Sequence, residues 1–320
     1  MSMVKELIRF LKERDIVFIQ THNFPDHDAV ASAFGLQDIL AQKGIEANII
    51  YDGEIQRESL SWMIEALGII VEKADHYPVK ETDSIIIVDG CKGNKNVTDL
   101  IGEEVAIIDH HITESPDDVW YADIRPEYGS CASIIAEYYK ELELVPNREV
   151  ATSFIIAIDT DTHGFRRECT VSDIDAFRFV FDIADRDLSS RILRNNITVD
   201  DLEYFKYITE NAVIEEPFAF CYFENGCAQN LMGILGNFML TIRQVQFVAI
   251  FADNKNKINM SLRSENERWN ASKIANEILD GIGFGGGHGD MAGGIITQTD
   301  GFDPLRIRNR IAEILKRDEK

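Results

Sequence analysis

Ser84-Ile-Ile-Ile-Val-Asp89 and Val105-Ala-Ile-Ile-Asp-His-His111 decide the fold. Each is an apolar, largely β-branched run that ends directly in an aspartate. A run that is apolar on both faces belongs to a strand covered on both faces, as in a parallel sheet. Upstream, the run Ile16–Gln20 precedes a helical period over Ala29–Gln42 that stops at Gly44. The run Ala47–Tyr51 precedes a helical segment, Ser59–Leu67, that stops at Gly68. Strands alternating with helices predict an α/β N-terminal domain built on a parallel sheet. Ligands gather at the carboxyl ends of the strands in such sheets, so the polar residues there carry the functional argument.

From Cys131 to Phe181 the pattern is mostly helical, and Thr198–Ala212 reads as a charged helix joining two domains. Beyond it the style changes. Phe218–Phe223 and Val245–Phe251 read as strands, and Lys257–Leu262 can pair with the latter across the turn at 253–256. Asn270–Leu279 and Leu305–Leu315 read as helices, the second opened by Asp303 as cap and Pro304 at the first helical position. The expected organisation is an N-terminal domain over 1–190, a helical connector over 191–215 and a smaller α+β domain over 216–320.

The chain of 320 residues is 45% hydrophobic and 27% charged, an ordinary globular composition. It has no uninterrupted apolar run of about 18 residues, so no membrane partner is expected. The first fifteen residues lack the apolar core of a signal peptide, which makes the cytoplasm the expected compartment. The five cysteines form no CxxC pair and suit small buried hydrophobes better than disulfides or a zinc ribbon. The net charge is −23, yet residues 216–320 hold 13 acidic and 12 basic side chains, so almost all of the excess lies before residue 216. Long duplex DNA would be repelled by that surface. Carboxylates that hold divalent cations would reverse the charge locally and admit a small phosphorylated substrate.

Six of the seven histidines sit in polar clusters at strand ends or in loops. The first cluster is His22-Asn-Phe-Pro-Asp26-His27-Asp28, between a strand and a helix, although Asp26 and Asp28 also suit the cap of that helix. The second is Asp89. The third is Asp109-His110-His111, whose adjacent histidines point apart in an extended chain, so that one can bind metal while the other faces substrate. The fourth, Asp159-Thr-Asp161-Thr-His163-Gly-Phe165, offers two candidate carboxylates. Mixed imidazole and carboxylate ligation favours Mn²⁺, with Mg²⁺, Co²⁺ or Zn²⁺ as alternatives. A carboxylate-rich site for two such ions points to in-line displacement at phosphorus by activated water. Further on, Phe284-Gly-Gly286-Gly287-His288 has the glycines of an anion-binding loop, and Arg263-Ser264 follows a strand where the guanidinium can reach a phosphate.

The order HxxxDxD, an aspartate after a strand, DHH, DT followed by Phe, and GGGH resembles the DHH phosphoesterases that carry a DHH-associated C-terminal domain. Within them it is similar to the bacterial nanoRNases, which also act on 3′-phosphoadenosine 5′-phosphate (pAp). The resemblance covers roughly residues 15–295. It implies an active site in the cleft between the domains. His22 and Asp26 would hold one cation, Asp28, His110 and Asp161 a second, and Asp89 would bridge them. His111 would contact the scissile phosphate and Asp109 would orient the histidine pair. Arg263, Ser264, Gly286, Gly287 and His288 would hold the distal part of the substrate. The implied partners are short RNA or small phosphorylated nucleotides, and a homodimer is compatible with this reading. Cyclic or linear dinucleotides and polyphosphate are alternative substrates, and a nucleotide-binding regulator without turnover is the non-enzyme alternative. Four positions depart from the family pattern. His27 stands where a small residue, usually Gly, is expected, and Phe284 where the glycine run begins. Met291 replaces the first Ala of HxxAAG, and His163 replaces a Gly after the Asp-Thr pair.

Overall fold

The computed structural model describes residues 3–14, 16–166, 169–194 and 197–319. They divide into two compact units, Met1–Asn196 and Ile197–Lys320. The first runs α1 (Met3–Leu11), β1 (Val17–Thr21), α2 (His27–Gln42), β2 (Ala47–Tyr51), α3 (Glu58–Leu67), β3 (Val71–Lys73), β4 (Ser84–Val88), β5 (Glu103–Asp109), β6 (Tyr121–Ile124), α4 (Cys131–Glu141), α5 (Arg148–Asp161), α6 (Val171–Phe181) and α7 (Arg186–Arg194). The six strands form one parallel sheet in the order β3-β2-β1-β4-β5-β6. The chain builds outward from β1 to β3, then returns to the far side of β1 with β4. The β1/β4 boundary is therefore the topological switch point, where the loops at the strand ends diverge and leave a crevice.

The period of two along each strand sorts the apolar residues. Val17 and Ile19 of β1, Ile86 and Val88 of β4, and Ala106 and Ile108 of β5 enter the main core with helices α1, α2, α4 and α5. The alternate residues Phe18, Ile85, Ile87 and Ile107 enter a smaller core that is closed by Tyr77, Val79, Val97 and Leu100. Helices thus line one face, and connecting segments pack on the other. In the main core, α2 and α5 approach so closely that a Cβ on Gly35 would overlap the fully buried ring of Phe154.

The second unit contains α8 (Leu202–Asn211), β7 (Val213–Glu215), β8 (Phe218–Phe223), α9 (Gln229–Leu240), β9 (Phe247–Asp253), β10 (Ile258–Ser264), α10 (Ala271–Leu279), β11 (Gly283–Gly287), β12 (Met291–Ile296) and α11 (Pro304–Asp318). Its sheet has the order β11-β12-β10-β9-β8-β7 and is mixed, since β8 and β9 run parallel while the other pairs are antiparallel. One face packs on α10 and α11 through Trp269, Ile274, Ile278 and Ile311. The other packs on α8 and α9 through Ile208, Leu231, Met232 and Leu235.

Two sequence expectations change here. The charged helix set between the domains is α8, and it belongs to the second unit, because Ile208 is fully buried in that core and Tyr204, Phe205 and Tyr207 pack against it. The glycine run is not a loop. Gly283–Gly287 is an edge strand, and a Cβ at Gly285 would overlap the carbonyl of Gly293 on the neighbouring strand. Among the described residues no helix is long and apolar enough to cross a membrane.

Candidate metal centre

The loop after β1 and the start of α2 bring His22, Asp26 and Asp28 to the switch point. Asp26 caps α2, its Oδ1 accepting the amides of Asp28 at 3.1 Å and Ala29 at 3.2 Å. Asp28 is wholly buried and held more firmly. Its Oδ2 accepts the Cys131 amide at 2.6 Å and its Oδ1 the Ala132 amide at 2.9 Å, both from the first turn of α4. A helix N-terminus suits a carboxylate for this reason. Asp89 follows β4 directly and adopts a left-handed φ of 55° that turns the chain sharply at the strand end. His110 and His111 follow β5, and Asp161 closes α5.

These side chains converge into three groups whose ligand atoms lie within 4.8 Å of one another: His22, Asp26 and Asp89; Asp28, His110 and Asp161; Asp89, His110 and His111. Asp89 stands between the first two. Its Oδ2 is 3.5 Å from His22 Nε2 and its Oδ1 is 3.4 Å from His110 Nε2. His110 Nε2 also lies 3.5 Å from Asp161 Oδ2 and 3.8 Å from Asp28 Oδ2. Asp159, the other carboxylate of the fourth cluster, belongs to none of these groups.

The tautomers follow from the outer hydrogen bonds. His22 Nδ1 donates to the Asn23 carbonyl at 2.8 Å, and His110 Nδ1 donates to the Tyr128 carbonyl at 3.1 Å. Both rings then turn Nε2 towards the carboxylates, the atom a metal would take in place of a proton. His111 differs. Its Nδ1 donates to Asp109 Oδ1 at 2.8 Å, which leaves Nε2 on the opposite edge of a ring that is 39% exposed. Asp109 therefore orients His111 alone, not the histidine pair. In an extended chain Asp109 and His111 share one side and His110 points to the other.

Four carboxylates in so small a volume repel one another. Burial, then the neighbouring charge of Asp89, pushes Asp28 up to about 7. Burial and the charges of Asp28 and Asp26 push Asp161 well above the usual carboxylate range. Burial alone would favour neutral imidazoles at His22 and His110, but the carboxylates beside them outweigh it and raise both well above an ordinary histidine. The cluster thus stores protons for lack of other positive charge.

Divalent cations fit this donor set. Asp89 Oδ1 and His110 Nε2 are buried and have no hydrogen-bond partner, a costly state for polar atoms unless a ligand completes them. Cation binding would displace the stored protons. Titration with Mn²⁺ near pH 7 is expected to release protons, seen as a heat that varies with the ionisation enthalpy of the buffer. The sign follows from the raised carboxyls: acid refills Asp28, which is pushed up to about 7, so affinity falls as the pH drops through that value. Heats that are independent of the buffer would contradict this account.

Residues 16–158 match the DHH family, N-terminal domain, and residues 215–317 match the DHHA1 domain. The chain is a DHH–DHHA1 protein. It is 27% identical over 318 residues to an uncharacterised protein of Methanocaldococcus jannaschii, covering 95% of this chain and 65% of that one. It is 32% identical over 169 residues to the "Probable manganese-dependent inorganic pyrophosphatase" of Shouchella clausii, covering 51% of this chain and 53% of that protein. The chain thus spans about half to two thirds of these curated relatives. An exopolyphosphatase-related protein from Bacteroides fragilis shares the fold, with a TM-score of 0.82 at 20% identity over 99% of this chain and 98% of that one.

The remaining expected residues lie in the DHHA1 domain. Arg263 lies one residue before the end of β10, opposite Met291 of β12. Its guanidinium reaches Asn237 Oδ1 at 2.9 Å, the Leu262 carbonyl at 2.9 Å and Ser261 Oγ at 3.3 Å. It lies along α9, where a Cβ on Gly236 would come within 3.0 Å of the arginine Cγ. Ser264 is buried, and its hydroxyl donates to the Asn266 carbonyl at 3.1 Å, so it shapes the turn after β10. His288 sits in the turn from β11 to β12, where the carbonyls of His288 and Gly289 accept the Ser272 and Ala271 amides that open α10. Sequence reasoning missed Asn237 and the two α9 glycines; Gly233-x-x-Gly236 is the only trace they leave.

Proposed function

We propose that this DHH–DHHA1 protein is a phosphohydrolase that uses two divalent cations, Mn²⁺ first, on short oligoribonucleotides and pAp. The observation that carries this reading is Asp89, a buried carboxylate whose two oxygens face two separate imidazole and carboxylate groups. When bound, cations at such a pair of sites supply Lewis acidity towards phosphoryl oxygens and the attacking water. The chain's own residues do the rest. His22, Asp26 and Asp89 hold one position, and Asp28, His110 and Asp161 the other. Asp109 accepts the His111 Nδ1 proton, and its carboxylate, against the opposing effect of burial, favours the charged ring, whose Nε2–H would donate to a non-bridging oxygen of the scissile phosphate. Arg263 and the Gly286-Gly287-His288 segment grip the distal part of the substrate, with Ser264 shaping their support.

Phosphoanhydride hydrolysis is the second reading, favoured by the name and 32% identity of the Shouchella relative. Mn²⁺-dependent hydrolysis of pAp, RNA of two to five nucleotides, cyclic di-AMP, its linear product, polyphosphate and pyrophosphate separates the two. Turnover confined to pyrophosphate or polyphosphate would replace the nucleotide reading. Arg263→Ala or His288→Ala is expected to cost roughly ten- to a hundredfold in kcat/KM on pAp and short RNA, the value of one charge-assisted contact. A small diester such as bis(p-nitrophenyl) phosphate needs no distal grip and is expected to lose far less. Equal losses on both would mean that these residues only support the fold.

A further inference from the structure

We propose that Asp173 is a positioning residue for the cation group of Asp28, His110 and Asp161, acting on His110 through the peptide that joins Tyr128 to Gly129. This rests on the two-cation reading above. The carbonyl of that peptide accepts the His110 Nδ1 proton at 3.1 Å. Its amide, that of Gly129, donates to Asp173 at 3.1 Å from Oδ1 and 3.0 Å from Oδ2. A planar peptide carries its C=O and N–H on opposite edges, so the imidazole and the carboxylate grip the same group from its two sides. Asp173 is fully buried in the first turn of α6. Its Oδ2 also accepts the Thr170 amide at 2.8 Å and the Thr170 hydroxyl at 2.9 Å. Each of these partners donates, so both oxygens of Asp173 serve as acceptors.

Hydrogen bonds in a chain polarise one another. A carboxylate on the Gly129 N–H drives electron density towards the Tyr128 oxygen and makes it a stronger acceptor. The His110 proton is then held on Nδ1, and Nε2 becomes a better donor to a cation. A carboxylate that bonds a metal-binding imidazole directly has the same effect; here one peptide lies between them. His22 supplies the comparison. Its Nδ1 donates to the Asn23 carbonyl, but the amide of that peptide, Phe24, donates to the neutral Asp52 carbonyl at 3.3 Å. The two imidazoles therefore have the same kind of backbone partner, and only the one at His110 is backed by a carboxylate. Tyr128 and Gly129 are both buried, so without Asp173 the Gly129 amide would lose its partner in a place where water does not replace it. The same stretch of backbone goes on to hold Asp28 through the Cys131 and Ala132 amides. Asp173 thus anchors the segment that sets two of the three side chains of this group.

The test measures Mn²⁺ affinity of the full chain, and the proton NMR signals of the imidazole Nδ1–H groups in its Co²⁺-loaded form, for the wild type, Asp173→Asn, Asp173→Glu and Thr170→Ala. Asp173→Asn removes the charge and is expected to weaken one Mn²⁺ site by about ten- to a hundredfold, the usual cost of losing the outer partner of a ligating histidine. The His110 Nδ1–H signal is expected to move and to exchange faster with solvent, while the His22 signal stays. Asp173→Glu keeps the charge and suits a capping box, so it is expected to fold and to fall between the two in affinity and in signal position. Thr170→Ala removes a capping bond only, and is expected to lower the metal-free melting temperature with both Mn²⁺ affinities kept. An Asp173→Asn protein with wild-type affinities and an unmoved His110 signal would overturn the proposal. So would a Thr170→Ala protein that loses as much affinity as Asp173→Asn. If Asp173→Asn fails to fold, Asp173→Glu decides, and an unmoved His110 signal there overturns the proposal. Failure of the phosphohydrolase reading looks different: the wild type would hydrolyse no phosphate ester with Mn²⁺, while cation affinity still depended on Asp173.

Discussion

Asp89→Asn is expected to abolish Mn²⁺-dependent turnover, by at least about a thousandfold, and to remove at least one bound cation. Losing a bridging charge withdraws several kcal/mol from the transition state, and each 1.36 kcal/mol is about tenfold in rate. The substitution is chosen to spare the fold. Asp89 sits at a φ of 55°, a conformation that Asn tolerates as well as Asp, whereas Ala would add backbone strain. The variant also keeps one amide oxygen near its neighbours. Metal content after dialysis, turnover and the melting temperature of the metal-free protein decide the matter together. Full metal content with near-normal turnover would dismiss Asp89 as the bridge. A large drop in the metal-free melting temperature would show that the aspartate serves the fold rather than the cations.

Gly35→Ala is expected to destabilise the protein by about 1–3 kcal/mol, although helix propensity alone favours Ala over Gly by nearly 1 kcal/mol. The two effects have opposite signs, and packing decides. The new methyl would overlap the ring of Phe154, which is fully buried in α5, and Gly35 already gives its carbonyl to the Tyr139 hydroxyl at 3.0 Å. For a unit of this size the melting temperature falls by about 2–4 °C per kcal/mol. Because α5 ends at Asp161, a displaced α5 is also expected to weaken cation binding. Gly35→Ala combined with Phe154→Leu should recover much of the loss, since the smaller side chain leaves room for the methyl. A Gly35→Ala protein that melts higher than its parent would show that α2 and α5 can part without strain.

The parallel sheet was legible because Ser84–Val88 and Val105–Ile108 are apolar on both faces, and the structure divides their residues between two cores at a period of two. The side chains that converge at the switch point were legible because each follows a strand or ends a helix in a short polar motif. What escaped was carried by the backbone or by glycine. Tyr128 orients His110 through its carbonyl, which every residue possesses and no motif records. The strand Gly283–Gly287 has no side chains to show an alternating pattern. α9 is interrupted on paper by Gly233 and Gly236, residues that weaken a helix but here give Arg263 its bed.

That bed along α9 gives the DHHA1 domain an unusual route for divergence. A single methyl at position 236 would press on the Arg263 Cγ, and a side chain at 233 would occupy the space of its guanidinium. Either change would re-aim the arginine while leaving the arginine itself in place. With Arg263 gripping substrate as proposed, descendants of this chain could acquire new selectivity through residues that never meet a ligand, and sequences with an identical set of polar groups need not share a substrate.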